Sequence, residues 1–505
     1  MISQPEYREK IDEWVDAHTD QMLEDLKMLV RIPSVREDAK DGMPYGEMPA
    51  RAVGTMQQLM ERYGLRTTNY ENYCVAGDLD AGQEKVLDIL AHLDVVPVSD
   101  TWTKTAPFEP LIEGDRIYGR GTSDDKGPAI AALYAMRCVK ELGLDVKKGV
   151  RLICGSNEEC GSSDLRYYYG REKEALYTFS PDADYPLINI EKGRLQKSFY
   201  AEGSVPAKDA DPSPGRVRVL SIHAGDTGNI VPGHAKMILV GASEESLLKA
   251  KEKTLRTVAE RRKEPEPGED NPEIKKRQPE ITFTRQQEAY VVSFEGVSSH
   301  AANPEGGINS LTMTLEFLKN LDLSEEPGQM LLLEIGKLWP HGDYSGEALG
   351  IACSDEVSGR LTISLDILNY ELSKDGLSYR IEGTFDCRAP LCCTDETLTH
   401  RVLEKLSRAG FRMEEGQMVP AHYVSADSEL VRKLLESYEL YFGKKGTPVA
   451  IGGGTYVHEL ERGVAFGCAD PEVDNRMHGD DEFMEIPMLV KSTKIFADAI
   501  MRLCG

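Results

Sequence analysis

A histidine and an aspartate stand two residues apart where an apolar strand should end. His92 and Asp94 follow a mostly apolar run, 86–90, which predicts a buried strand. Side chains two residues apart along a strand point to the same side, so both should face the same way. A histidine that binds a metal through one ring nitrogen usually donates its other N–H to a carboxylate or carbonyl. The pair therefore fits a metal ligand with its orienting partner, and a strand end with two solvated polar residues fits equally.

A glycine-rich turn farther along the chain carries two more acids. Gly119–Pro128 contains Asp124 and Asp125 and leads into a predicted helix, Pro128–Leu142. Acids at this place would repel a phosphate, and the Walker spacing is absent, so a phosphate-binding loop is excluded. The two acids are then either metal ligands or caps for the helix N-terminus.

Two adjacent glutamates follow another predicted strand. Glu158 and Glu159 come shortly after Val150–Cys154. Neighbouring carboxylates repel each other, so one pKa should rise unless a cation lies between them. Such a pair can divide its tasks, with one carboxylate binding a metal and the other moving a proton; a solvated acidic turn is the alternative. Asp182 likewise follows a predicted strand, Leu176–Ser180.

The strand-end acids and histidines form one candidate metal-binding set: His92, Asp124, Glu159, Asp182 and His478. Two histidines and three carboxylates are too few for two separate metal sites, but they suffice for two ions when one carboxylate bridges both. Imidazole and carboxylate ligands suit zinc, and a carboxylate-rich set also suits manganese or cobalt. A two-metal centre makes hydroxide near neutral pH, and Glu158 then remains to act as general base.

The elements around these residues predict an α/β fold. Strands alternate with helices and acids follow the strand ends, which indicates a catalytic α/β domain with a mixed sheet and helices on both faces. Residues 194–421 change in character and predict an inserted α+β lid domain. We therefore expect a discontinuous catalytic domain, 1–193 and 422–505, interrupted by the lid domain, 194–421. One strand is predicted at Thr67–Tyr73, and a charged exposed loop at Glu264–Glu280.

Composition restricts the classes of function. The 505 residues are too many for one core, and two domains are expected. The net charge of −26 argues against nucleic acid or an anionic membrane as a partner, because both need a basic face. The ten cysteines, among them the adjacent Cys392 and Cys393, form no CxxC pair and indicate reduced thiols. No run is apolar enough to span a bilayer and Met1–Met22 has no signal-peptide core, so we expect a cytoplasmic protein.

Seven short stretches together resemble the M20 family of co-catalytic metallopeptidases, and within it the PepV-type dipeptidases, which are carnosinase-like enzymes of Xaa-His dipeptides. They run in the family's order over nearly the whole chain, and the set is highly specific. The stretches are HLDVVP (92–97), GRGTSDDKGP (119–128), NEE (157–159), FSPDAD (179–184), SHAANPEGGIN (299–309), GGGTY (452–456) and MHG (477–479).

The resemblance implies a role for each strand-end residue. Asp124 would bridge two divalent metal ions, with zinc expected first and manganese or cobalt as alternatives. The terminal ligands would be His92 with Asp182 for one ion, and Glu159 with His478 for the other. Two further side chains would assist. Asp94 would orient His92, and Glu158 would carry a proton from the bridging water to the leaving amine.

The resemblance also implies residues that hold the substrate. His300, from the lid domain, would stabilise the oxyanion. Asn229 and Arg388 would hold the substrate's C-terminal carboxylate, for which a planar guanidinium fork is well suited. An ion pair of Arg388 with Asp386 is the alternative for that arginine. Gly453 and its neighbours would line the pocket with backbone N–H groups.

The position of Asp182 bears on the substrate. Family members that are aminopeptidases or dipeptidases tend to have Asp there, and carboxypeptidases and deacylases tend to have Glu, so the resemblance favours a substrate with a free amino terminus. Two anchors, one for each end, would limit that substrate to a dipeptide. A deacylase such as a succinyl-diaminopimelate desuccinylase is one alternative. A catalytically silent metal-binding protein is another, weakened because base, bridge and ligands are all present.

The size of the inserted domain bears on oligomeric state. In family members with shorter chains, the histidine equivalent to His300 reaches the active site from a second subunit. The inserted domain spans roughly 230 residues here and is large enough to hold His300 over its own active site. We therefore expect an active monomer.

Overall fold

The computed structural model describes residues 6–79, 84–206, 215–262 and 278–505. The chain divides into two compact units: the first unit is Met1–Glu191 with His422–Gly505, and the second unit is Lys192–Ala421. Most of the charged loop predicted at Glu264–Glu280 lies outside the described residues. Within the described ranges, no helix is both long and apolar enough to cross a membrane.

Ten α-helices occur in the described part of the chain. Those before the second unit are α1 Arg8–Val30, α2 Glu47–Arg62, α3 Lys126–Glu141 and α4 Ser163–Tyr169. Those of the second unit are α5 Glu244–Arg261, α6 Ser310–Lys319, α7 Pro327–Leu338 and α8 Thr399–Arg408. The last two, again in the first unit, are α9 Glu429–Phe442 and α10 Ile486–Cys504.

The strands follow the same division. The first unit begins with β1 Arg66–Tyr70, β2 Cys74–Asp78, β3 Lys85–His92, β4 Leu111–Glu113, β5 Arg116–Tyr118, β6 Gly149–Gly155, β7 Tyr177–Ser180 and β8 Ile188–Glu191. The second unit contains β9 Gly193–Ser204, β10 Arg218–Ala224, β11 Ile230–Val231, β12 His234–Val240, β13 Glu280–Gln286, β14 Ala289–Glu295, β15 Ser299–His300, β16 Ser354–Asp355, β17 Gly359–Arg360, β18 Thr362–Leu372, β19 Ser378–Ala389 and β20 Arg412–Met413. The first unit resumes with β21 His422–Tyr423, β22 Val449–Ile451, β23 Gly463–Ala465 and β24 Phe483–Glu485.

The main sheet of the first unit is mixed. Its strand order is β1-β2-β6-β3-β7-β23-β8-β21, with β22 also paired to β8. The four central strands β6, β3, β7 and β23 are parallel, whereas β1, β2 and β21 pair antiparallel with their neighbours. The central strands therefore end at one common edge.

Alternate residues of β3 enter two different hydrophobic cores. Leu87 and Ile89 pack in the core that contains residues of α1, α2, α3, α9 and α10. Leu90 packs on the opposite side with Ile153 of β6 and Tyr168 of α4. A strand buried on both faces needs an almost continuous apolar run, which is what the sequence shows here. The predicted mixed sheet with helices on both faces is confirmed.

The helix α3 is buried along most of its length, and its beginning lies tightly against the preceding turn. A Cβ atom at Gly127 would collide with the backbone oxygen of Thr122, so only glycine permits this approach. The approach fixes the turn that carries Asp124 directly at the start of the helix.

The strand predicted at Thr67–Tyr73 ends early, because β1 stops at Tyr70 and a turn over 71–73 leads into β2. Glu71 and Asn72 between them have φ angles of 52° and 61°, in the left-handed region that a strand cannot accommodate. The Asn72 N–H donates to Asn69 Oδ1 at 2.8 Å and closes the turn. Asparagine tolerates this backbone conformation, so the chain can reverse direction here between β1 and β2.

The second unit is built on one antiparallel sheet. Its order is β13-β14-β12-β10-β18-β19-β9-β20, and its core contains residues from all four helices α5–α8. A separate two-stranded ribbon joins β11 to β15. An α+β unit interrupting an α/β unit is the fold class that the sequence predicted.

Candidate metal centre

The parallel strands of the first unit deliver a histidine and acids to one edge of the sheet. His92 is the last residue of β3, Glu159 lies just beyond β6, and Asp182 lies just beyond β7. Asp124 precedes α3, and His478 stands between β23 and β24. Because carboxyl ends of parallel strands meet at the same edge, the fold brings these five residues together.

His92 is fully buried and is oriented from behind. Its Nδ1 lies 3.0 Å from the backbone oxygen of Asp94 and 3.5 Å from that residue's carboxylate. Its Nε2 faces Asp124 Oδ1 at 2.9 Å and Asp182 Oδ2 at 3.7 Å. A neutral ring that donates Nδ1–H to Asp94 presents the Nε2 lone pair to the two carboxylates, which is the state of a metal ligand.

Asp124 lies between the two histidines. Its Oδ2 is 2.8 Å from Nε2 of His478, while its Oδ1 faces His92. His478 Nε2 also lies 3.3 Å from Glu159 Oε1. Each carboxylate oxygen of Asp124 therefore contacts a different histidine. Asp124 thus connects the two histidines through its two oxygens.

The donor set fits divalent cations. Ligand atoms of His92, Asp124 and Glu159 all lie within 4.8 Å of one another. Glu159 Oε1 is buried, and its close polar neighbour within the described ranges is His478 Nε2 at 3.3 Å, so this oxygen is directed at the cluster and not at solvent. Imidazole nitrogens and carboxylate oxygens are suitable ligands for zinc, manganese and cobalt.

The electrostatics of the cluster favour positive charge. Burial, together with nearby carboxylates, raises the pKa of Glu158, of Glu159 and, to about 7, of Asp182. Burial also acts to raise the pKa of Asp124, but hydrogen bonds with the two histidine rings outweigh it and lower that pKa. Hydrogen bonds with Asp124 and Glu159 raise the pKa of His478 to about 11. Carboxylates brought this close repel one another until a cation neutralises them.

Asp94 supports more than His92. Its Oδ1 accepts the backbone N–H of Glu158 at 3.1 Å, and its Oδ2 accepts that of Glu159 at 3.2 Å. One buried carboxylate thus holds both glutamates and lies behind the histidine. Sequence reasoning found Asp94 from its spacing to His92, but the bond to the β6 turn had no local signal.

Glu482 is a supporting residue that sequence reasoning missed. It is fully buried, pairs with Arg120 at 2.6 Å, and accepts N–H groups of Gly121, Ser123 and Asp124 at 2.9–3.2 Å. Hydrogen bonds to a residue of the C-terminal segment therefore hold the turn that positions Asp124. The only sequence signal was an acidic run directly after His478.

Two further buried acids support the site. Asp125 Oδ2 accepts the backbone N–H of His92 at 3.0 Å. Asp164 Oδ2 accepts the N–H groups of Ser156 and Asn157 at 2.6 and 2.8 Å, and burial raises its pKa to about 6. Both carboxylates hold backbone at strand ends, so neither is available as a simple surface acid.

A pocket of about 500 Å³ opens beside the cluster. Its lining includes Glu158, Gly453 and the further acids Asp184 and Asp474. The buried Glu191 secures the glycine segment, since its Oε1 accepts the Thr455 N–H at 3.0 Å and the Thr455 hydroxyl at 2.8 Å. The pocket therefore has acidic groups along its wall and backbone at Gly453.

In the second unit, Asn229 and His300 are neighbours. The ribbon pairs Ile230 with His300, and the backbone oxygen of Asn229 accepts the Ala301 N–H at 2.9 Å. The exposed His300 ring accepts the Ala302 N–H at Nδ1, at 3.2 Å. This bond selects the neutral tautomer with its proton on Nε2, which is the form that donates a hydrogen bond.

Arg388, near the end of β19, is buried and paired. Its Nε lies 2.6 Å from Asp386 Oδ1 and its Nη2 lies 3.1 Å from Oδ2. The ion pair that the sequence left open as an alternative is therefore present. Thr362, opposite Arg388 in the sheet, donates its hydroxyl to the Ala302 oxygen at 3.0 Å and so links this strand to the segment of His300.

Comparison with known proteins identifies the family. Residues 89–502 match peptidase family M20/M25/M40. A Bacillus subtilis (strain 168) protein named "Putative dipeptidase YtjP" is 32% identical over 487 residues, which are 95% of this chain and 97% of that protein. Human carnosine dipeptidase 1 superposes with a TM-score of 0.56 at 15% identity, over 99% of this chain and 100% of that one.

A second solved structure gives the same result for the fold. Aminoacylhistidine dipeptidase from Vibrio alginolyticus superposes with a TM-score of 0.52 at 14% identity, over 95% of this chain and 96% of that one. At such low identity the two superpositions show a shared fold. The resemblance stated from sequence motifs is confirmed: this chain belongs to peptidase family M20/M25/M40 and is a metallopeptidase.

Proposed function

We propose that the protein is a dipeptidase that requires two divalent cations. The observation that carries the proposal is Asp124, whose two oxygens lie 2.9 and 2.8 Å from the Nε2 atoms of two histidines. In this proposal Asp124 bridges the cations. The terminal ligands are His92 with Asp182 for one cation, and Glu159 with His478 for the other.

The cations supply the electrophilic part of the reaction. When bound, two divalent ions polarise the scissile carbonyl group and lower the pKa of the attacking water. We expect zinc first, because imidazole and carboxylate oxygens suit it, with manganese and cobalt as competent replacements. The protein's own residues hold the cations, orient the substrate and move protons.

Glu158 is the proposed general base. It lines the pocket beside the ligand cluster, and the bond from Asp94 to its backbone fixes its place next to Glu159. Burial raises its pKa, which brings a carboxylate closer to the range where it can both accept and return a proton. Glu158 takes a proton from the attacking water and delivers it to the leaving amine nitrogen.

A free amino terminus on the substrate suits the acidic pocket. Asp184 and Asp474 line it alongside the cluster. Carboxylates attract the ammonium group of a free amino terminus, and they repel the negative charge of an N-succinyl group. The aspartate at position 182 agrees with this choice. The B. subtilis relative is named as a dipeptidase, which supports the same substrate class.

The second unit is proposed to read the other end of the dipeptide. His300, with its proton on Nε2, is suited to donate to an oxyanion. Asn229 and Arg388 are proposed to bind the substrate's carboxylate. In this proposal the pair with Asp386 orients the guanidinium group of Arg388, as carboxylates commonly do for arginine forks.

A substrate panel tests the proposal. The protein is freed of metal by chelation, reloaded with zinc, manganese or cobalt, and assayed on β-Ala-His and on Leu- and Met-initiated dipeptides. Matched substrates carry an acetylated amino terminus, an amidated carboxyl terminus or one added residue, and N-succinyl amino acids form a further arm. We expect rapid, metal-dependent turnover of the free dipeptides alone. Faster turnover of the N-succinyl compounds would instead identify a deacylase.

A further inference from the structure

Three cysteines of the second unit form a compact thiol cluster, made of Cys353, Cys392 and Cys393. Their sulfur atoms all lie within 4.8 Å of one another, and Cys353 Sγ is 3.2 Å from Cys393 Sγ. Cys392 is exposed and the other two are partly buried, so ions in solvent can reach the cluster. Nothing in the proposed dipeptidase reaction uses these side chains.

The backbone that carries the thiols is held in place by hydrogen bonds. Asp355 Oδ2 accepts the Cys392 N–H at 3.2 Å, and the Ser358 hydroxyl accepts the Leu391 N–H at 2.8 Å. The Cys393 N–H closes a turn on the Pro390 oxygen at 3.0 Å. These bonds join the segment of Cys392 and Cys393 to the 355–358 turn near Cys353. These backbone bonds therefore hold the three sulfur atoms near one another.

We propose that Cys353, Cys392 and Cys393 bind a thiophilic d¹⁰ cation, zinc in the first instance, through three thiolates. Thiolate ligands select such ions over harder ones. Sulfur atoms bound tetrahedrally to zinc at about 2.3 Å lie about 3.8 Å apart, so the three thiols are near this spacing and the Cys353–Cys393 pair has to open by about 0.6 Å. Each thiol that becomes a ligand releases its proton to solvent as the metal–sulfur bond forms. Solvent supplies the remaining ligand on the exposed side of Cys392.

Convergence of three sulfur atoms favours a cation over a disulfide. A disulfide between Cys353 and Cys393 would use two of them and would leave the placement of Cys392 unexplained. A cation uses all three, and it would join the segment before β16 to the one after β19, the strand that carries Arg388. The site would then stabilise the end of that strand from outside the dipeptidase centre.

Cadmium is the probe, because thiolate-bound cadmium absorbs in the ultraviolet and cadmium held by histidine and carboxylates does not. The full-length reduced protein, with its dipeptidase centre preloaded with zinc, is titrated with Cd²⁺. We expect an absorption step that saturates at about one equivalent per chain. The step should disappear in Cys353→Ser and Cys393→Ser and be strongly reduced in Cys392→Ser. Cys160→Ser, which removes the other exposed cysteine, should keep it.

A second measurement needs no variant. Zinc added to the wild-type protein should protect Cys353, Cys392 and Cys393 together from alkylation, as mapped by mass spectrometry, and should leave Cys160 reactive. Absence of the cadmium step, or protection that omits any of the three cysteines, overturns the proposal. So does the finding that Cys353 and Cys393 are joined covalently, with no cation bound, in protein purified without reductant.

Discussion

The groups proposed to react in the first unit are held quite differently from those proposed in the second. Asp124 lies on a turn that Glu482 fastens through three backbone N–H groups, and Asp94 fastens both glutamates. His300, in contrast, is exposed on a ribbon of two-residue strands. Buried frames give fixed geometry, whereas exposed segments on a scaffold suit recognition of varied ligands. In our proposal the first unit therefore holds the cations and moves the proton, and the second unit adds an oxyanion donor on a less constrained segment.

The largest effect should come from the first unit. We expect Glu158→Gln to lower kcat by about 10²–10⁴, the usual contribution of a positioned acid–base group. Bound metal should stay at the wild-type level, because Glu158 is not among the proposed ligands. Kinetics and elemental analysis of the same preparation measure both. Glu461→Gln, the same change at an exposed position of the first unit, is the control, and near-normal turnover in Glu158→Gln would remove this residue from the mechanism.

The second unit should show its strongest effect at His300. We expect His300→Ala to lower kcat by about 10²–10³ with little change in KM, because an oxyanion donor acts mainly in the transition state. His234→Ala, at another exposed histidine of the same unit, should be nearly silent. If KM rises and kcat holds, His300 binds substrate rather than stabilising the transition state.

Mixing the two inactive variants tests whether one chain supplies both groups. We expect no activity when His300→Ala and Glu158→Gln proteins are combined, since the proposal places a complete site in each chain. Restored activity would show that the site is shared between chains, and the monomer proposal would then fail. The sedimentation of each variant, measured in the same buffer, controls for altered assembly.

Arg388 should show an effect that depends on the substrate's carboxylate. We expect Arg388→Ala to lower kcat/KM for free dipeptides. The loss should correspond to about 2–4 kcal/mol of activation free energy, the scale of losing a buried charged partner. Dipeptide amides should be poor substrates of the wild type and should lose little more. Equal losses for both substrates would assign Arg388 to its ion pair with Asp386 alone. Arg388→Lys keeps the charge and loses the fork, so it separates the two contributions.

The smallest effect concerns acid stability of the second unit. Burial, with the nearby Arg261 and Lys319, lowers the pKa of His341 from 6.5 to about 4. His341 therefore binds a proton less readily in the folded state than in the unfolded state. The free energy of unfolding is highest above pH 6.5 and falls as the pH is lowered toward 4. The loss at pH 5 should be about 2 kcal/mol.

The test compares variants across pH. Replacing His341 with Gln removes the titration, so the difference in unfolding free energy between wild type and His341→Gln should shift by that amount between pH 8 and 5. Hydrogen exchange in α7 measures it. A pH-independent difference for His341→Gln would contradict the assignment.

Local patterns predicted much of the first unit. The apolar run 86–90 and the acids after it located a strand end, because a strand buried on both faces must be almost continuously apolar. The same reasoning put Glu159 and Asp182 at the ends of neighbouring strands, and the structure places them beside His92. The structure divides the chain at residues 191 and 421, where composition suggested 193 and 421.

Bonds between distant parts of the chain could not be predicted in this way. Glu482 meets the Asp124 turn across some 360 residues, and no periodicity reports such a pairing. The end of β1 at Tyr70 was missed because Tyr73, in the three-residue turn between β1 and β2, is itself a residue type that strands favour. The pair of Arg388 with Asp386 is the intermediate case, since the sequence named it as an alternative but could not show whether the two side chains bond.

The position of β23 has a consequence for synthesis of the protein. This strand, Gly463–Ala465, lies between β7 and β8 in the sheet, and His478 and Glu482 follow it. The ribosome has by then already released the whole second unit, so the first unit must wait for the last tenth of the chain before its central sheet can close. Contacts over such sequence separations form late. A prematurely terminated chain lacks the proposed ligand His478 and the hydrogen bonds from Glu482 to the Asp124 turn, so we expect such unfinished copies to be inactive.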